Sequence, residues 1–505
     1  MKKRRDLPVI GSKAPGSAAA VLDAVSGSTT ARIAVVTLGC DKNTVDSERV
    51  MAQLAGSGAD VGASVDDADV IVINTCGFIE TAKEESIEAI LDAVRLKQEG
   101  RVRAVVAMGC MVQRYKKDLE AEIPEVDAFL GLTEIQQLPS VLRQARILPE
   151  AAPLMERPLR LLSTETPHTS YLKISEGCDH TCAFCAIPLM RGKHRSTPIE
   201  RLVAEAGELA DRGVVELNIV SQDTTWYGRD LQRGIEPGAD DFFVGRMAGD
   251  ARPRAASPAA GARHGLLPEL LQSLLAETNI PWLRLFYLYP SGIRQDLVNL
   301  IAREPRIARY IDMPIQHGAD RILTAMRRPE RAHTIRERVA WLREAVPDIA
   351  LRTTVIAGFP GETDEDFEAM LNLLEELRFD HVGAFTYSVE EDTLAATMAD
   401  QVPDDIKRER LERIMDLQRA IAQEKNDARI GTTVRVLIDR VNSRTSQVDG
   451  TDTQVSAAVG RAEFQAVEVD GVVHIPDATG LRPGDFIDVR ITEAIDQDLV
   501  GVAEA

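Results

Sequence analysis

Residues 170–185 read Ser170-Tyr171-Leu172-Lys173-Ile174-Ser175-Glu176-Gly177-Cys178-Asp179-His180-Thr181-Cys182-Ala183-Phe184-Cys185. The first five form a strand candidate, and a C-x3-C-x2-C triplet follows it directly. Five more strand candidates come later, at 214–220, 282–288, 309–313, 350–356 and 381–387, with helical segments between them. Six parallel strands joined by crossover helices predict an open or partial TIM-type barrel over 169–400. A loop that follows a barrel strand lies at the face where such barrels carry their chemistry. A Gly-, Ala-, Pro- and Arg-rich stretch at 233–264 reads as a disordered insertion in this domain.

On the N-terminal side, apolar runs at 32–37, 70–73 and 102–108 read as buried parallel strands. Ile87, Ile90, Leu91 and Val94 recur at helical spacing. Residues 31–138 are therefore expected to form a small doubly wound α/β domain. Residues 1–30 read as a disordered tail and 139–168, with several prolines, as a linker. On the C-terminal side, 404–429 read as a charged helix with Leu411, Ile414, Met415 and Ile421 on one side. Residues 431–505 switch to period two, with turn signals at Asp470-Gly471 and Pro483-Gly484-Asp485, and predict a small antiparallel β-barrel. The fold class is thus α/β with an appended β-barrel.

The chain of 505 residues is 44% hydrophobic and 27% charged, which excludes a disordered chain and a fibre. No apolar run reaches membrane-spanning length, and the basic start lacks a continuous apolar stretch after it, so the chain reads as cytoplasmic. The net charge of −20 disfavours nonspecific nucleic-acid binding and suits a basic partner.

All six cysteines fall at strand ends. Cys178, Cys182 and Cys185 follow the first barrel strand, and Gly177 lets that loop turn tightly. Three close thiolates would leave one iron of a cubane open. The alternative is a zinc site completed by His180 or His194, although structural zinc sites usually use two C-x2-C pairs. Leu38-Gly39-Cys40, Asn74-Thr75-Cys76-Gly77 and Met108-Gly109-Cys110 each follow a strand of the first domain. These three cysteines therefore share one sheet edge, where α/β ligand sites form, and read as a second metal site rather than as three core cysteines.

The C-x3-C-x-aromatic-C motif on a barrel resembles the radical S-adenosylmethionine (SAM) enzymes. With the N-terminal triad and the C-terminal barrel, the chain from 31 to 505 resembles the methylthiotransferases, which add a TRAM barrel. The resemblance implies two 4Fe–4S clusters, one on Cys40, Cys76 and Cys110 and one on Cys178, Cys182 and Cys185. It implies SAM contacts at Phe184, Ser221, Gln222, Ile356, Gly358 and Gly361, the last three within Thr354-Val355-Ile356-Ala357-Gly358-Phe359-Pro360-Gly361-Glu362. It also implies a reductant such as flavodoxin or ferredoxin and a sulfur carrier. No acid or base is assigned; Tyr289, Gln316 and His317 sit at strand ends facing the site.

Finer matches resemble the branch that modifies an aspartate β-carbon of the small-subunit ribosomal protein S-twelve. They are Asn74-Thr75-Cys76-Gly77-Phe78-Ile79 with Glu84-Glu85-Ser86, Gly109-Cys110-Met111-Val112-Gln113-Arg114, Arg284 to Tyr287-Leu288-Tyr289-Pro290, Asp312-Met313-Pro314-Ile315-Gln316-His317 and Tyr387-Ser388-Val389-Glu390-Glu391-Asp392-Thr393. Asp41, Val389 and Asp392 depart from the family pattern in loops. Residues 431–505 carry thirteen acidic residues against six arginines and no lysine, which suits a basic protein better than tRNA. A tRNA-adenosine methylthiotransferase and a non-catalytic, metal-stabilised ribosomal adaptor are the competing readings.

Overall fold

A computed structural model of the chain describes residues 30–150, 159–162, 166–233, 265–448 and 451–504, with backbone alone at 443–448 and 451–455. Residues 1–29 of the expected tail and 234–264 of the expected insertion lie outside the described residues.

The first sheet is parallel, in the order Asp60–Val61, Arg32–Thr37, Val70–Thr75, Ala104–Gly109, Ala128–Leu130. Its apolar runs are buried on both faces, which is why they do not alternate. Val35, Val72 and Val106 pack with Val50, Met51 and Leu54 of the helix Asp41–Ala55. Val36, Ile73 and Val105 pack on the other face with the helix Glu80–Gln98. That helix turns differently from the expected stripe. Ile87 and Leu91 are 37% and 42% exposed, and the inward face is Ser86, Ala89, Ile90, Ala93 and Val94. Small residues there let the helix approach the sheet closely. The short helix Leu138–Gln144 buries Leu138 and Leu142 in the same core.

The second sheet has six parallel strands in sequence order: Thr169–Lys173, Glu216–Val220, Trp282–Leu285, Ile307–Asp312, Ala350–Ala357 and His381–Thr386. The first and last do not pair, so the barrel is open. Its outer face is apolar: Leu172, Leu217, Ile219, Leu283, Leu285 and Ile311 pack against the surrounding helices. Its inner face mixes polar and charged side chains with a small apolar cluster of Val220, Ala308, Tyr310 and Ala350 that packs on Ala466. Tyr171 pairs in register with Asn218, and Asn218 with Arg284.

The C-terminal strands close into a barrel in the order Thr433–Val448, Thr451–Ala462, Val473–Ile475, Asp498–Ala503, Phe486–Ile495. Alternate residues (Val436, Ile438, Val473, Ile475, Val489 and Ile491) fill it. One seam, between Val473–Ile475 and Asp498–Ala503, is parallel; the others are antiparallel.

This barrel closes the lower end of the open one. Its segment from Arg461 to Asp470 reaches an inner residue of all six strands. Arg461 meets Glu216 at 2.6 Å, and Arg284 donates to the Glu463 carbonyl at 2.6 Å. Tyr310 donates to Asp470 at 2.7 Å, and Tyr171 to Glu468 at 3.2 Å. Arg352 lies 3.6 Å from Asp470, and His381 donates to the Phe464 carbonyl at 2.9 Å. The helix Asp404–Asp427 braces the side. Its inward face is polar, with Lys407, Arg410 and Gln418 buried beside Ile414 and Ile421.

Glu216 sits fully buried between Arg461 and Arg284, 2.8 Å from the latter. Burial alone would raise its carboxyl, but the two guanidiniums hold it down at about 2, below the ordinary 4.5. A pKa lowered on folding contributes stability that is complete above pH 4.5 and is lost as pH falls toward 2. Glu216→Gln is therefore expected to cost about 3 kcal/mol at neutral pH. The gap in thermal midpoint should narrow as pH drops through that window. Thermal melts across pH check this, and a gap independent of pH refutes it.

Candidate functional site

The strand order brings Cys40, Cys76 and Cys110 together. Each follows one of three adjacent strands, at the carboxyl edge of the first sheet. Glycines clear the space between them. Gly39 has φ +95°, and a Cβ there would stand 2.8 Å from Cys76 Sγ. At Gly109, φ +106°, a Cβ would meet Asn74 Oδ1 at 2.4 Å. Cys76 and Cys110 are buried and Cys40 is exposed, so the triad opens on the Cys40 side. Burial pushes the Cys76 thiol up to about 11, and Cys40 pushes the same way. Burial pushes Cys110 up to about 12; Arg191 pulls it down, while Cys40 and Cys76 push it up.

Two residues not singled out as site residues from the sequence hold this triad. Asn43 donates to the carbonyls of Leu38 at 2.7 Å and Thr75 at 3.2 Å, and its Oδ1 lies 3.8 Å from Cys110 Sγ. Ser86 accepts the Cys76 N–H at 3.0 Å. Asn43 had a readable signal, a polar residue in the first helical turn after Cys40.

The other triad lies on the loop after the strand Thr169–Lys173. Gly177 has φ +73°, and a Cβ there would press on the Lys193 carbonyl at 2.4 Å. The Cys178 N–H binds the Gly192 carbonyl at 3.0 Å, and the Ala183 N–H binds that of Met326 at 2.9 Å. Cys182 Sγ lies 3.7 Å from the Tyr289 hydroxyl. Arg328 stacks over Tyr289 at 3.7 Å, and Tyr289 stacks on His180 at 4.3 Å. Burial pushes Cys185 up to about 12 and Cys178 further, in each case reinforced by a neighbouring cysteine.

His180 Nε2 contacts Asp223 at 2.7 Å and His194 Nε2 contacts Ser196 at 3.0 Å. Among the described residues, no three His, Cys, Asp or Glu side chains are gathered around a single-ion point. A four-iron cubane is ligated at separate corners, so its thiolates stand wider apart than those of one ion.

Phe184 and Ile356 pack into one apolar cluster with Ala183, Met326, Phe359 and Tyr387. Ser221 hydrogen-bonds Ser175, and Gln222 donates to Glu176 at 3.4 Å. Gln222 Oε1 is buried without a protein partner, so an acceptor is available for a bound ligand. Gly358 and Gly361 have φ +76° and +78°. Space beside Gly358 is filled by Lys407, whose Cγ would stand 2.3 Å from a Cβ there. Space at Gly361 is open. The Gly358 and Phe359 N–H groups bind Glu362, which His317 and Arg410 also contact. Gln316 sits at φ +68° and exchanges backbone bonds with the strand Ala350–Ala357.

The two triads are joined by buried charge. Lys173 bonds Asp46 and, at 2.6 Å, Glu176. Arg191 bonds Glu176 at 2.9 Å, Asp46 at 3.1 Å and Asn43 at 2.6 Å. Asp46 belongs to the first domain and the other three charges to the barrel. Nearby, Tyr287 donates to Asp41 at 3.1 Å, and the Lys42 ammonium lies 3.1 Å over the Tyr287 ring.

Models of three families match the chain. They are Uncharacterized protein family UPF0004 at residues 32–131, the Radical SAM superfamily at 172–374 and the TRAM domain at 430–503. A partial barrel with three thiols on its first loop, matching the second of these, is a radical SAM enzyme, and it uses an iron–sulfur cluster and SAM. A protein of Anaeromyxobacter sp. (strain Fw109-5), "Ribosomal protein uS12 methylthiotransferase RimO", is 43% identical over 94% of this chain and 93% of its own length. A protein of Sulfurihydrogenibium sp. (strain YO3AOP1) with the same name is 43% identical over 94% and 99%. The chain belongs to the uS12 methylthiotransferase RimO family. The solved structure of the radical SAM methyltransferase TsrM from Kitasatospora setae is 14% identical, with a TM-score of 0.47 over 71% of this chain and 72% of that one.

The Gly177 crowding is testable. Gly177→Ala adds a left-handed penalty of about 1–2 kcal/mol and a clash with the Lys193 carbonyl. In a chain with Cys40, Cys76 and Cys110 replaced by alanine, it is expected to abolish iron binding without changing the helix content. Iron assay and circular dichroism check this.

Proposed function

We propose that the chain replaces a hydrogen on the β-carbon of an aspartate in ribosomal protein uS12 with a methylthio group, using two SAM and a sulfur donor. The observation that carries this reading is that one chain presents two thiol triads whose supports, Asn43–Asp46 and Glu176–Arg191, are bonded to each other. Methylthio transfer needs a radical source and a sulfur site side by side. The names of the relatives support uS12 as the acceptor.

When bound, two 4Fe–4S clusters and SAM supply the electron, the radical and the methyl group. Cys178, Cys182 and Cys185 would hold one cluster and Cys40, Cys76 and Cys110 the other, leaving one iron of each without a protein ligand. Gln222 Oε1 offers an acceptor to the SAM ammonium. Phe184 and Ile356, with Phe359 and Tyr387 behind them, form an apolar wall that excludes water. Glu362 fixes the turn at Gly358 and Gly361, and Ser221 is held by Ser175. The Tyr289 hydroxyl stands by the Cys182 sulfur, and Arg328 packs over the Tyr289 ring and holds it there.

An electron donor such as flavodoxin or ferredoxin and a sulfur carrier complete the cycle, in the cytoplasm. Among the described residues, no helix is long and apolar enough to cross a membrane. The acidic C-terminal barrel favours a basic protein over tRNA phosphate.

The intact mass of uS12 from cells with and without this chain tests the assignment. Loss of one methylthio group in place of hydrogen on deletion is expected. An unchanged uS12 mass with altered tRNA nucleosides would overturn it. Alanine at either cysteine triad should remove iron and sulfide from that triad alone, roughly half of the total for two like clusters.

A further inference from the structure

Arg191 ends a five-residue helix, Ile187–Arg191, just beyond Cys185. By sequence it belongs to the radical SAM loop. In space its neighbours are those of the other triad. Met190 and Ala186 pack in the same apolar cluster as Cys110. Its guanidinium donates to Asn43 Oδ1 at 2.6 Å, the oxygen that lies 3.8 Å from Cys110 Sγ. Arg191 is 3% exposed, so its charge is poorly screened by water.

The set around it is electrically balanced. Lys173 and Arg191 face Asp46 and Glu176, and all four are buried. Arg191 is the member that touches the residue next to the thiols. Its other nitrogen holds both Glu176 oxygens, at 2.9 and 3.0 Å, and Glu176 Oε1 also receives Gln222. The potential of an iron–sulfur cluster depends on nearby charge and on hydrogen bonds around its sulfurs. Removing Arg191 deletes a positive charge and leaves the buried set one unit negative.

We propose that Arg191 is a positioning residue that sets the reduction potential of the cluster held by Cys40, Cys76 and Cys110, with Glu176 as its counterweight. This rests on the reading that those cysteines hold a cluster. The two charges act in opposite directions. Arg191→Gln makes the cluster harder to reduce, and Glu176→Gln makes it easier. Arg191→Lys keeps the charge and stays near the parent.

The test uses the full chain with Cys178, Cys182 and Cys185 replaced by alanine, reconstituted with iron and sulfide and titrated with dithionite under spin-resonance detection. For Arg191→Gln, the reduced-to-oxidised ratio at a fixed ambient potential is expected to fall about tenfold, the scale of one unit charge in a protein interior, or ~59 mV for a one-electron couple. Glu176→Gln should raise it by a similar factor. If Arg191→Gln does not fold, Glu176→Gln still decides the sign. Midpoints that do not move, or that move the same way for Arg191→Gln and Glu176→Gln, overturn the proposal. A parent that binds no iron in this background overturns instead the assignment of a cluster to the first triad.

Discussion

A sheet of six strands that does not close leaves its inner face without a partner, and here that face is charged. Lys173, Glu216, Arg284 and Arg352 point where a closed barrel would hold layers of branched apolar residues. Charges removed from water must be matched by other charges or they destabilise the fold. At the upper end the match is Asp46 from the first domain. At the lower end it is Arg461 and Asp470 from the C-terminal barrel. The three domains are joined because the middle one is electrically incomplete alone. The same salt bridges that finish its fold also set one thiol triad against the other.

Much of this was legible in the sequence. The six cysteines follow strands, and parallel strands place their carboxyl ends on one edge, so the triads could be read before any contact was known. Strand candidates were found because outward-facing Leu172, Leu217, Leu283 and Ile311 meet helices and must be apolar. The inner alternation was also present, as in Tyr171-Leu172-Lys173 and Glu216-Leu217-Asn218. It had no reading because its partners lie far away in sequence, 160 residues for Tyr310–Asp470 and 292 for Arg461–Thr169.

Other features were hidden for local reasons. Of the helical stripe Ile87, Ile90, Leu91 and Val94, Ile90 and Val94 face the sheet, and the small residues Ser86, Ala89 and Ala93 take the rest of that face in place of Ile87 and Leu91. Hydrophobicity counts area, while approach distance depends on size. Ser86 is also needed by the Cys76 backbone. Arg191 follows the second cysteine triad in sequence, and only the fold shows that its charge lies beside the first. Beside Gly358 stands Lys407, from a helix that no local pattern connects to it.

The contacts from Arg461 to Asp470 also set a length scale. Because that segment is bonded to all six strands, the C-terminal barrel cannot tilt toward or away from the thiols. The plug and the thiols thus stand at opposite ends of one frame. A load on the C-terminal barrel is carried by the strands themselves rather than by a hinge between domains.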